Sequence, residues 1–242
     1  MVDTESAKEF MQEVLGQVPA EELTAIAGRL EVKSRFFQKM LSRERIGKLS
    51  EAELLQLLRS VFTSRRSGKK ILEACPAAEL QKQIGALLYG EEPIETRFSV
   101  FCDQLKGVET KISSDLAGEL LHFTFPEQYW LWGRWMWDPK LKTGSLPLVV
   151  LEGYDLEAPT LGETYVKVGK AVAFVHHTGE AAGFQKISRS LYGTDVFLCS
   201  VYVIYTYTVL RMRMTQEFNK VIPDLAEFTR RLLGVNKMEE FN

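Results

Sequence analysis

Two groups of side chains in this 242-residue sequence have types and spacings that could act on a partner. The first is cationic. Residues 29–70 hold twelve bases against four acids, a local net charge of +8: Arg29, Lys33, Arg35, Lys39, Arg43, Arg45, Lys48, Arg59, Arg65, Arg66, Lys69 and Lys70. Arg35, Lys39 and Arg43 are four apart, so a helix would set them on one face, with Phe36, Phe37, Met40 and Leu41 toward a core. Arg65, Arg66, Lys69 and Lys70 extend the ridge. Such a ridge attracts phosphate backbones, acidic proteins or anionic lipid head groups. The flanks suggest a different fate. Residues 1–28 carry six acids and one base, and residues 71–119 nine acids and four bases. Helices from these flanks are expected to pack against the block and neutralise it. The whole chain has a net charge of −2 and a pI near 6.0, below what a dedicated nucleic-acid-binding domain usually has. Ser64–Lys70 lacks the first glycine and the final Ser/Thr of a phosphate-binding loop.

The second group is aromatic. Trp130, Trp132, Trp135 and Trp137 are all four tryptophans of the chain, and they fall within eight residues. Arg134 sits among them, and Phe123, Phe125 and Tyr129 lie just upstream. At helical spacing Trp130 and Trp137 share a side while Trp132 and Trp135 do not, so the run does not fit one face. Tryptophan and arginine anchor protein interfaces, stack on bases and line ligand pockets. A thick aromatic core is the competing reading. A docking role for Trp130, Trp132, Arg134, Trp135 and Trp137 needs no catalytic group, so a protein partner is the first expectation.

Other chemistry finds little footing. The histidines are His122, His176 and His177. His176 and Glu180 are four apart but form no HExxH pair, and adjacent histidines diverge by about 100° on a helix. No metal and no cofactor is expected. Cys75, Cys102 and Cys199 are unpatterned, which excludes zinc ribbons and disulfide scaffolds and suits a reducing, cytoplasmic setting. No GxSxG elbow or dinucleotide fingerprint occurs. Glu119, Glu127 or Asp138 could still act as a buried carboxylate, so catalysis stays open.

Leu105-Lys106-Gly107-Val108, then Ser113 to Phe123, Pro126 and Tyr129, loosely resemble the helix-hairpin-helix segment of DNA base-excision glycosylases over about 25 residues. The resemblance implies a DNA-contacting hairpin and a base-acting enzyme. Glu109 stands where that family has a second hairpin glycine. Residues Tyr129 to Trp132 lack the catalytic aspartate the family would place there, and Asp138 comes several positions later. A nucleic-acid binder or base-acting enzyme is therefore the second expectation.

The elements that must carry these groups read as mainly α, about ten helices. Ser50 with Glu53 forms a capping box before Leu54, Leu55, Leu57, Leu58, Val61 and Phe62. Pro19, Pro76, Pro93 and Pro223 open further helices, and Gly90 and Gly234 close two of them. Half of the eight prolines fall between Phe125 and Thr160, which predicts loops there and one short strand at Leu148 to Leu151. Residues 161–176 carry a helical stripe yet are rich in β-branched residues, so helix and strand both stand. Residues 196–210 favour strand by propensity and helix by unbroken length, and length decides for helix. That stretch is too short for a membrane span. The acidic start, Asp3 to Glu13, has no signal-peptide character. A division near residue 92 would give an N-terminal bundle, 1–92, and a C-terminal helical domain, 93–242, unless the chain is one domain.

Overall fold

Local capping chemistry sets several of the helix starts. The computed structural model describes residues 2–182, 187, 190–213 and 223–236. Among them ten α-helices form, 67% of the residues are helical and no strand occurs. The helices are α1 (Thr4–Gln17), α2 (Ala20–Met40), α3 (Glu51–Ser60), α4 (Gly68–Ala74), α5 (Ala77–Tyr89), α6 (Ile94–Gln104), α7 (Thr110–Thr124), α8 (Leu161–Ala182), α9 (Tyr192–Arg213) and α10 (Leu225–Leu232). Asp3, Ser50 and Asp224 cap α1, α3 and α10 by accepting backbone N–H bonds, and Ser50 with Glu53 completes the expected capping box. The open assignment, 161–176, is helical, and so is 196–210, as expected from its length. The expected strand at Leu148 to Leu151 is instead a 3-10 turn, Leu146–Leu148, followed by a single bridge between Val2 and Val150. With Pro147 in that turn and only one bridged pair, no ladder can propagate.

The described residues form two compact units. The first draws on 2–30, 135–154 and 171–236, the second on 31–134 and 155–170. The expected division at Gly90–Pro93 lies at the connection from α5 to α6, inside the second unit. In the first unit α9 packs on α1 and α10, burying Val196, Phe197, Leu198, Cys199, Val201 and Val203. Tyr192–Leu210 is long and apolar enough, by length and composition, to cross a membrane. Glu22 pairs with Arg230 at 2.6 Å within this unit.

The second unit carries most of the candidate chemistry. Its core runs through α5, α6 and α7, with α3 packed on α4 and the 3-10 turn Ile46–Lys48 on α5. Helix α7 is its pillar: every residue from Ile112 to Thr124 is buried. Residues 129–133 run along it outside any helix. Gly118 permits that approach, since a Cβ there would sit 2.1 Å from the carbonyl oxygen of Trp132. Helix propensity alone would make Gly118→Ala stabilising by about 1 kcal/mol. The close approach reverses the sign, so we expect Gly118→Ala to lower the melting temperature by several degrees, read by circular dichroism. A rise would refute it.

Candidate functional site

The cationic block is built on the last turns of α2. There Lys33 is fully buried, Ser34 and Phe37 are buried, and Arg35 and Lys39 are exposed. The setting follows from what lies inside. Lys33 Nζ contacts Glu119 on α7 at 2.5 Å and lies 4.5 Å from the centre of the Phe123 ring. Ser34 Oγ donates to the Phe123 carbonyl at 2.8 Å. At 100° per residue, positions 35 and 39 then fall on the opposite side from 33 and 37. The helix stops at Met40, so Arg43 is not on its face as the four-residue spacing suggested. Arg43 lies in the following turn, its guanidinium 4.7 Å above the ring of Tyr89, whose hydroxyl donates to the Leu41 carbonyl at 2.5 Å.

The second cluster hangs on a turn. The expected helix through Val61 and Phe62 ends at Ser60, and residues 61–67 turn toward α4. Val61 and Ser64 are buried, with Ser64 Oγ donating to the Leu58 carbonyl at 2.6 Å. Gly68 starts α4 against α3, where a Cβ would meet only the end of the Leu55 side chain, Cδ1 at 2.8 Å, and Leu58 at ordinary contact distance. Arg59, Arg65, Arg66, Lys69 and Lys70 are all exposed around this turn.

The acidic flanks do little to neutralise this surface. From the block, Lys33 pairs with Glu119, and Arg45 pairs with Glu53, at 2.7 Å. Arg35, Lys39, Arg43, Lys48, Arg59, Arg65, Arg66, Lys69 and Lys70 form no ion pair with any described residue. Flank acids are engaged elsewhere: Glu22 with Arg230, Glu109 with Lys111, Asp115 with Arg134. Sequence counting found the cations but not their freedom. It also included Lys33, which serves the core instead.

The tryptophans divide between the units. In the second unit Trp132 is buried at 1% exposure, stacked on Phe98 with centroids 5.5 Å apart, and Trp130 is half-buried. The backbone around them is anchored throughout. The carbonyl of Tyr129 accepts from His122 Nδ1 at 2.9 Å, that of Trp130 from the Tyr165 hydroxyl at 3.1 Å, and the amide of Arg134 donates to Asp115 at 2.9 Å. In the first unit Trp137 is buried and Trp135 half-buried, on a loop held by Asp138, whose carboxylate accepts from the amides of Lys140 and Leu141. Each unit thus has one interior tryptophan, Trp132 or Trp137, and one that reaches the surface in part, Trp130 or Trp135.

Of the candidate carboxylates, Glu127 is exposed and Asp138 caps its own loop. Glu119 is different. Burial pushes its pKa up to about 7, against the attraction of Lys33; Asp115 adds to the rise and His122 opposes it. Its side chain keeps about 10% of its exposure. Burial also raises the Cys75 and Cys199 thiols and pushes Cys102 up to about 12, the opposite of what a nucleophilic thiol needs. His176 bonds Thr194 at 2.8 Å, while the side chain of Glu180 lies outside the described residues. No metal-binding cluster occurs among the described residues. A surface pocket of about 230 Å³ is lined by Glu95, Ala158, Pro159, Glu163, Val166 and Lys167. Glu163 there caps Thr160, and Lys167 pairs with Asp155.

The Glu119 proton has a measurable consequence. A carboxyl whose folded value is raised binds its proton more readily folded than unfolded, so stability falls as pH rises from about 4.5 to about 7. Denaturant unfolding across that range should show this fall, and Glu119→Gln should flatten it. An unchanged profile in the variant would assign the fall to another group. In comparisons with known proteins, no family model, no curated protein and no solved structure matches this chain.

Proposed function

We propose that the protein binds nucleic acid through the cationic surface of its second unit. The observation that carries the reading is the set of exposed cations between Arg35 and Lys70 that form no ion pair with any described residue. Nine such side chains spread over α2, two turns, α3 and α4 suit a polyanion better than a small anion, which two or three would hold. The chain's overall charge of −2 does not oppose this. The Debye length is about 8 Å at physiological salt, so a ligand on this surface feels the local cations more than acids elsewhere. The buried thiols fit a reducing, cytoplasmic setting.

A protein docked through the tryptophans draws less support. Trp132 and Trp137 are interior, which leaves the half-buried Trp130 and Trp135 beside Arg134. A base-acting enzyme would need a reactive group near the bound strand, and Glu119, the carboxyl with a raised pKa, is buried.

The test is an anisotropy titration of labelled oligonucleotides. Binding should weaken about a thousandfold or more between about 50 and about 200 mM salt if six or more phosphates are neutralised. Arg35→Glu with Lys39→Glu, and separately Arg65→Glu with Arg66→Glu, should each lower affinity and reduce the salt slope by about one for every phosphate no longer neutralised. Failure of any oligonucleotide to bind at low salt would overturn the reading. Equal binding of polyglutamate would reassign the surface to an acidic protein.

A further inference from the structure

We propose that Phe62 is a stacking platform for unpaired bases, so that the nucleic acid taken by this surface is single-stranded. The inference rests on the nucleic-acid reading and names its substrate class. Phe62 is 41% exposed, and it is the large exposed hydrophobic residue of the 35–70 block; the others described are Val100, Leu141, Leu151 and Phe174. Its ring touches no other aromatic ring among the described residues. Arg59, Arg65 and Arg66, all exposed, flank it in sequence.

The position follows from the end of α3. Were the helix continued, Phe62 would lie one turn after Leu58, on the buried face. The helix instead ends at Ser60, and the turn carries the ring outward. The turn itself is held. The Arg65 amide donates to the Val61 carbonyl at 2.9 Å and the Ser67 amide to the Ser64 carbonyl at 2.9 Å, while the Ser64 hydroxyl is tied back to Leu58. The backbone that carries the ring is thus fixed before the ligand arrives, which lowers the ordering cost of binding.

An aromatic face among cations is the combination that grips single strands: the cations follow the backbone and the ring takes a base face. In a duplex those faces are covered by neighbouring bases, so the ring would add little. An anionic membrane is the other surface that takes basic and aromatic residues together. Interfacial docking there relies on an extended apolar helix face, and this block exposes a single ring.

The experiment compares oligothymidylate of roughly 16 nucleotides with a duplex of mixed sequence and equal charge. The native protein should prefer the single strand. Phe62→Ala should lower single-strand affinity about tenfold, in line with the loss of one base stack. It should leave duplex affinity, the salt slope and the melting temperature unchanged, and Phe62→Trp should restore the preference. Equal affinities for the two forms in the native protein, or no effect of Phe62→Ala on a single strand that does bind, would overturn the inference while the nucleic-acid reading stands. No binding of either form would overturn both. Loss in Phe62→Ala of binding to phosphatidylserine vesicles, with oligonucleotide binding intact, would assign the ring to a membrane.

Discussion

Lys33 is a fully buried cation, and the exposed chemistry of the second unit follows from where it points. Removing an ammonium group from water costs several kcal/mol, so it stays charged inside only with a partner and favourable dipoles around it. Glu119 provides the partner, and the faces of Phe123 and Phe37 the surroundings. The same burial pushes Glu119 toward its protonated form, so the two residues depend on each other. A helix has one rotational freedom about its axis. Once Lys33, Ser34 and Phe37 face α7, Arg35 and Lys39 must face outward.

Helix α7 makes this possible because it gives a separate anchor to each segment laid on it. Asp115 holds the backbone and guanidinium of Arg134, Gly118 admits Trp132, Glu119 meets Lys33, and His122 holds the carbonyl of Tyr129. These positions recur at three- and four-residue steps, as one side of a helix requires. Its polar groups are therefore used for positioning in a low-dielectric interior, where unmatched partners would be costly. At the surface Arg45 pairs with Glu53 and Arg43 lies over the Tyr89 ring, while the other exposed cations of the block form no ion pair with any described residue. Lys33, matched inside, is thus the structural part of the basic block.

The turn after α3 applies the same logic to apolar groups. Val61 is buried and its neighbour Phe62 is not, because the chain leaves helical geometry between Ser60 and Val61. Helix α4 then begins at Gly68, against Leu55 and Leu58 of α3. Arg59, Phe62, Arg65 and Arg66 are all exposed within eight residues of sequence around this turn.

Helix starts were legible because their signals are local: Ser50 needs only Glu53 three residues on, and Pro76 or Pro93 acts at the boundary where it stands. The density of positive charge between Arg29 and Lys70 was legible for the same reason, since it is a property of composition. The length of the unbroken run 196–210 outweighed its β-propensity, and a helix resulted. The fate of individual side chains was not legible. Glu119 lies 86 positions from Lys33, and nothing near Lys33 marks it as different from Lys39. Nor did local pattern show that Phe62 leaves its helix, or that Trp132 and Trp137 turn inward while Trp130 and Trp135 remain half-exposed. By itself the sequence determined which segments are helical and where charge is concentrated, because those depend on neighbours along the chain. Only the tertiary structure decided which charges and rings reach solvent, because burial depends on contacts between residues far apart in sequence.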